Sequence, residues 1–453
     1  MSVTSEAPER RSPMIHYITQ NGIGNAWVAN ELSRVDAARV PFALHSMRRP
    51  ETLLHNSAWA IQLNASTRVI YPLPLFGLLR SLLSAPWLFG VHFFAALVNA
   101  LFGEREHVRA RVAGLAHFAV ACHWAREVQR AAMPVSHVHS QWINSCGTIA
   151  MYGAWLLERP FSFTGHATDL YRDRCALKDK VRRAKFIVCI SEFHRQFFLE
   201  HGAQPEKCFI AYCGIDPTWF YPPDRQTLTT ARPFRILASG RLVEKKGLRI
   251  LIDACKILVD RGERFECVIG GSGPLEAELR AQVQRLHLSG CVSLTGRALL
   301  QEKIVEFMHL GDVYALPCVW AADGDVDGLP QMLMEAMACG LPCISTRLVG
   351  IPDLIRHEQT GLLVSPNDAG ELAEAIARLM HDRPLAQRLA RDGRAWTLAR
   401  FDLRTCLEPL IDRYRQCLGM VSPSVATGGS PTHGLDSSPT PGLGEGISRG
   451  CPT

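Results

Sequence analysis

Several kinds of chemistry are missing from this 453-residue chain. Its 15 cysteines include no C-x-x-C pair, and an odd number argues against a disulfide framework, so reduced thiols in the cytoplasm are expected. Cys339 and Cys343 are separated only by Gly-Leu-Pro and have no histidine cluster beside them. They read as small buried apolar residues, with no metal site expected. Residues 1–13 are polar and charged and lack the apolar core of a secretory leader, which again makes the cytoplasm the expected location. The net charge of +6 is spread thinly and forms no dense basic stripe, which excludes a nucleic-acid partner. It suits phosphate-rich ligands or an anionic membrane surface.

Charge is also missing from 81–102, where 22 residues contain no Asp, Glu, Lys or Arg and Trp87, Phe89, Phe93, Phe94 and Phe102 crowd together. That length is enough to span a bilayer. Pro86, Gly90, His92 and Asn99 interrupt the run, Arg80 abuts it, and no second span balances it. Three readings stay open: a buried helical pair, a membrane-docking surface with peripheral contact through 73–111, and a transmembrane helix. The basic run Arg105, His107, Arg109 and Arg111 suits anionic headgroups and equally an ordinary solvated helix face.

What is present is enough apolar material, 47% of the chain, for two cores. Strand, loop and helix alternate as in doubly wound α/β sheets. After a polar N-terminal extension (1–13), a first domain covers 14–220 and 221–233 is a proline-bearing linker. A second domain covers 234–400, and a helix within 401–420 is expected to cross back to the first domain. The tail, 421–453, is about two-thirds Gly, Pro, Ser and Thr and is expected to be disordered. In the first domain, strand ends are expected to deliver the loop with Gly22 and Gly24, the segment 137–142 with His139, and Gly165-His166-Ala167-Thr168-Asp169. Gly271 and Gly273 lie in a turn after a strand, open to a nucleotide base or simply tight.

Two segments carry the chemistry. Gly240-Arg241-Leu242-Val243-Glu244-Lys245-Lys246-Gly247 follows a short apolar strand and presents Arg241 and Lys246, five residues apart, at the mouth of a sheet. Lys245 reads as a solvated charge. Asp327-Gly328-Leu329-Pro330 opens a helix bearing Glu335, and a helix start attracts phosphate. Two cations for a diphosphate and two carboxylates for sugar hydroxyls describe a nucleotide-sugar site.

Both segments resemble the donor-site motifs of the retaining glycosyltransferases of family 4, which have the GT-B architecture of two Rossmann-like domains facing a cleft. The wording is similar to that of bacterial exopolysaccharide and colanic-acid-type transferases, including the run Asp323-Gly324-Asp325. The resemblance implies transfer of a hexosyl unit from a nucleotide-diphosphate sugar to a saccharide or lipid-linked saccharide acceptor, without a cofactor. It implies that Arg241 and Lys246 neutralise the leaving diphosphate and that Gly22 and Gly24 face the donor phosphates. Gly328, Leu329 and Pro330 lie at the helix entrance, where neighbouring N–H groups would hold the distal phosphate, and Glu335 holds the ribose. His166 lies at the reacting carbon, with Asp169 and His139 on the acceptor side. Glu31 is similar to a glutamate of the subgroup, with a solvated helix residue as the other reading. Asp327 stands where the family usually has glutamate, so Asp323 or Asp325 is a candidate to share its contact with the transferred sugar. No carboxylate nucleophile is evident in the first-domain motifs, which fits transfer on one face of the sugar. A non-catalytic GT-B scaffold and a phosphorylase or epimerase remain as alternatives.

Overall fold

The computed structural model describes residues 12–51, 53, 57–166, 170, 174–223, 232–299 and 301–420. The first seven strands are β1 Met14–Thr19, β2 Phe42–Ser46, β3 Arg68–Val69, β4 Val135–Ser140, β5 Phe161–Gly165, β6 Ala184–Cys189 and β7 Cys208–Ile210. They form one parallel sheet in the order β3-β2-β1-β4-β5-β6-β7. The next six are β8 Phe234–Ser239, β9 Phe265–Gly270, β10 Val292–Leu294, β11 Val313–Leu316, β12 Cys343–Thr346 and β13 Leu362–Val364. These are also parallel, in the order β10-β9-β8-β11-β12-β13. Helices cover both faces of a parallel sheet, so its strands are mostly apolar. Val-Tyr-Ala-Leu of β11 is accordingly buried at every position. In each sheet the winding reverses, between β1 and β4 and between β8 and β11, and a crevice for ligand opens beyond the strand ends at such a point.

The helix Leu403–Cys417 returns to the first domain. Its Leu403, Leu407, Leu410, Ile411 and Tyr414 recur at helical spacing and sit in the core built on β1 and β4. Two backbone bonds pin its start across the domains, Ile215 N to Phe401 O at 2.9 Å and Leu403 N to Ile215 O at 2.8 Å. A second tie is Asp353, which accepts from the N–H of Glu192 at 2.7 Å. There a carboxylate of the second domain satisfies the start of the helix Glu192–Glu200 in the first.

The uncharged stretch lies in one helix, Leu75–Phe102, kinked at Gly90 (φ +49°, ψ −129°). Ala85, Phe89, Phe93, Ala96 and Ala100 are buried at spacings of three and four, and Phe93 meets Phe118 of the helix Val108–Arg130 at 5.5 Å. The opposite face is open: Phe76, Leu83, Trp87, Val91 and Phe102 are each more than 70% exposed. The helix is therefore not part of a fully buried pair, because among the described residues only one stripe has a packing partner. By length and composition this is the one helix among the described residues able to cross a membrane.

The basic run beside it is partly structural. Arg105 has no exposed side-chain surface and pairs with Asp179 at 2.9 Å, and His107 Nδ1 accepts from Ala110 N at 2.9 Å as an N-cap. Arg109 is exposed and Arg111 is half-buried.

Candidate active site

The cation-bearing loop leaves β8 and tightens into a short 3₁₀ turn, Glu244–Lys246, before the helix Leu248–Asp260. Gly247 closes the turn at φ +66°, where an added Cβ would lie 1.8 Å from the carbonyl oxygen of Pro317. Only glycine permits that approach of the β8 loop to the β11 loop, and it brings Lys246 to Asp327. Their Nζ and Oδ2 are 2.5 Å apart. Burial alone raises the pKa of the Asp327 carboxyl, but the attraction of Lys246 and Lys245 outweighs it and holds the group below its ordinary value. Burial opposes the Lys246 charge in the same way, and the groups around it, Asp327 first among them, more than compensate. Arg241 is exposed and pairs with no carboxylate among the described residues.

Lys245 departs from its reading as a solvated charge. Its side chain is 21% exposed, and its Nζ lies 3.1 Å from Asp325 Oδ2 and 3.3 Å from Asp327 Oδ1. Asp325 is thereby occupied with a lysine.

Glu335 sits one turn into the helix Gln331–Ala338 and is 4% exposed. Its Oε2 is buried and has no hydrogen-bond partner among the described residues. Burial pushes its carboxyl up to about 7, against the pull of Lys246. A buried acceptor without a donor is costly, and a hydroxyl pair supplies the donors it lacks. Pro330 precedes the helix and offers no side-chain cap to the N–H groups of the first turn. Leu329 is buried, and Gly328 O accepts from Gly350 N at 3.0 Å, fixing this loop against the chain after β12.

Gly271 and Gly273 serve backbone packing. A Cβ on Gly271 (φ +136°) would lie 1.9 Å from Gly240 O, and one on Gly273 would lie 2.7 Å from the Leu242 backbone. Leu242 N in turn donates to Ser272 O at 3.0 Å. The turn after β9 thus shapes the cation loop directly.

In the first domain, His166 follows β5 and is 8% exposed, with its ring 4.2 Å from that of Trp27 and 5.6 Å from that of Trp142. Burial, with the nearby His194, lowers its pKa to about 3, so it is a neutral imidazole at physiological pH. Its Nε2 lies 3.4 Å from Gln141 Oε1, and the Gln141 amide donates to Glu31 Oε1. Tyr17 also donates to Glu31, at 3.4 Å. Glu31 is therefore a buried member of the site and not a solvated helix residue; burial pushes its carboxyl up to about 7.

Gln141 was not singled out in the sequence, although its position signals it. It is the first residue past β4 on the face shared by His137 and His139. Those two histidines were expected beyond the strand end, but β4 runs to Ser140 and holds both inside the sheet. His139 is fully buried, with Nδ1 at 2.8 Å from Ser162 Oγ and Nε2 at 3.1 Å from Thr164 Oγ1, and Tyr17 and Tyr414 cover it. Both ring nitrogens are used, so His139 is a core residue and not an acceptor-side group.

Gly22 has φ +53° and packs near Ser46, and a Cβ on Gly24 would clash with Pro50 at 2.8 Å. Asp169 lies outside the described residues. The two halves meet where Gln331 Nε2 reaches Gly214 O at 3.5 Å. The thiol of the adjacent Cys213 is pushed up by burial and by the charge of Glu31. Among the described residues no group of three or more His, Cys, Asp or Glu is placed to hold a metal.

Residues 223–396 match the family model "Glycosyl transferases group 1". The chain is 40% identical over 195 residues to the amylovoran biosynthesis glycosyltransferase AmsK of Erwinia amylovora, covering 43% of this chain and 47% of that protein. It is 38% identical over 196 residues to the putative colanic acid biosynthesis glycosyltransferase WcaL of Escherichia coli K12, covering 43% and 48%. The chain thus spans about half the length of the curated relatives it matches. Anabaena Alr3699/HepE, solved in complex with UDP and glucose, superposes with a TM-score of 0.64 at 18% identity over 89% of this chain and 100% of that one. With two doubly wound domains in the GT-B fold, as in that structure, the chain carries a group 1 glycosyltransferase domain at residues 223–396.

Proposed function

We propose that this protein is a retaining glycosyltransferase. It moves a hexosyl unit from a nucleotide-diphosphate sugar to a saccharide or lipid-linked saccharide acceptor in the assembly of an exopolysaccharide or cell-surface glycan. The observation that carries this reading is the convergence of Lys246, Asp327 and Glu335 beside the winding reversal of the second sheet, with the buried Glu335 Oε2 lacking a donor. A ribose diol supplies that donor, while Lys246 and the exposed Arg241 lie on loops where a diphosphate would reach them.

In this reading the bond between the anomeric carbon and the diphosphate oxygen breaks as the acceptor oxygen forms its bond on the same face. The departing oxygen takes the acceptor's proton, and Arg241 and Lys246 stabilise its growing charge. His166, neutral and held by Gln141, bonds a sugar hydroxyl beside the reacting carbon. The side chains do this work without a metal or other cofactor. The similarity to AmsK, of amylovoran biosynthesis, and to WcaL, of putative colanic acid biosynthesis, supports an exopolysaccharide product.

The exposed apolar face of Leu75–Phe102 supports a peripheral membrane contact, which would bring a lipid-linked acceptor to the enzyme at the inner face of the plasma membrane. The helix begins just after β3, on the side of the sheet where the strand ends form the cleft. The test is the anomeric configuration of the product by NMR: retention is expected, and inversion overturns the mechanism.

A further inference from the structure

We infer that Lys245 is a positioning residue of the donor site, clasping the loop after β11 and holding Asp327 in place for Lys246. The inference rests on the transfer reading above and adds to it a residue that the sequence left as a solvated charge.

The two lysines of the turn Glu244–Lys246 send their ammonium groups to opposite oxygens of one carboxylate. Asp327 Oδ2 meets Lys246 at 2.5 Å, and Oδ1 meets Lys245 at 3.3 Å. Lys245 also bridges to Asp325, at 3.1 Å from Oδ2 and 3.2 Å from Oδ1. All four side chains are between 12% and 22% exposed, so water screens them weakly. The main chain repeats the tie: Val319 N donates to Lys245 O at 3.0 Å, and Ala322 N donates to Glu244 Oε2 at 3.1 Å. Asp325 in turn folds its own loop, with Oδ1 accepting from Val326 N at 2.9 Å and its carbonyl accepting from Ala321 N at 2.9 Å.

Two carboxylates and two ammonium groups make a neutral cluster. Without Lys245, the one ammonium that touches both Asp325 and Asp327 is lost, and the repulsion between the two carboxylates loosens the loop. Aspartate at 327 is one methylene shorter than glutamate, and both of its oxygens are engaged with lysines. Its carboxylate is thereby fixed beside the Lys246 ammonium and sets the direction in which that ammonium points. Lys245 acts on the reaction through Asp327, and on the shape of the sugar side of the site through Asp325.

The experiment is a charge-swap cycle with Lys245→Asp, Asp325→Lys and the double variant, plus Lys245→Met, which keeps the aliphatic stem and loses only the charge. Circular dichroism and thermal melts establish folding. For each variant, kcat and donor KM are measured, and the affinity for the nucleoside diphosphate is read by calorimetry. Each single reversal and Lys245→Met is expected to lower kcat at least tenfold, with nucleoside diphosphate affinity changing less than threefold. The double swap is expected to recover most of the loss, and a fall in kcat at near-constant nucleotide affinity and melting temperature is what a merely structural lysine does not predict. Wild-type kcat in Lys245→Met, or a double variant no better than the singles, overturns the inference. If the wild-type protein turns over no donor, the transfer reading falls instead. The melts of the same four proteins then judge the clasp, and additive effects of the two reversals on stability overturn it.

Discussion

Glu335→Gln separates stability from function in a way that depends on pH. The carboxyl is 4% exposed and burial moves its pKa from the ordinary 4.5 to about 7. At about 1.4 kcal/mol for each tenfold in proton affinity, the ionised form costs the folded protein ~3 kcal/mol. The direction follows from proton linkage. Below about pH 4.5 folded and unfolded states both hold the proton, and there is no penalty. Between 4.5 and 7 the unfolded chain releases it first, so the folded state binds more protons and stability falls as pH rises. Above 7 the full penalty stands.

The glutamine variant does not titrate, so its stability relative to wild type must improve by ~2–3 kcal/mol between pH 4.5 and 8, whatever its starting offset. For a domain of this class that is a relative gain of about 5–10 °C in melting temperature. The same variant loses charge-assisted bonds to the ribose, at ~1.5–3 kcal/mol, and is expected to bind the nucleoside diphosphate roughly tenfold to a hundredfold more weakly. Parallel melts of the two proteins across pH, with calorimetry of nucleotide binding, supply the readout. A constant difference in melting temperature, or unchanged nucleotide affinity, refutes the reasoning.

Lys246→Ala is expected to lower kcat by ~10²–10³, the scale for losing one preorganised stabiliser of developing negative charge, with the fold intact by circular dichroism. Gly271→Ala is expected to destabilise the second domain by more than ~2 kcal/mol in urea melts, because the new Cβ would lie 1.9 Å from Gly240 O at a φ of +136°. Trp87→Glu, at a position 84% exposed, is expected to leave the melting temperature unchanged and to abolish flotation with anionic vesicles. Equal flotation of variant and wild type counts against the membrane contact.

The alternation of strand and helix was legible because buried parallel strands are short apolar runs. The reading begins the two domains at 14 and 234, where the structure starts β1 and β8. That Lys246 and Asp327 belong to one site was legible, but their ion pair was not, because it depends on β8 and β11 becoming neighbours. Lys245 was not, because in a 3₁₀ turn two adjacent lysines both reach one carboxylate only if the facing loop brings it there, and no local pattern records that. His139 was misplaced because the end of β4 was set too early, which turned two inward-facing residues into loop residues. Arg105 looked like a surface cation, and only the fold supplies the Asp179 that buries it. The uncharged stretch gave its length but not its register, since the buried stripe depends on which residues meet the helix Val108–Arg130.

The most direct test of the account is nucleoside diphosphate release by the purified protein from a panel of nucleotide sugars, with chelator present and with or without membrane lipid extract. The account predicts release from one donor, undiminished by chelator, increased by lipid and lost in Lys246→Ala. Folded protein that binds a nucleotide sugar yet releases nothing from any donor, with or without lipid, contradicts it.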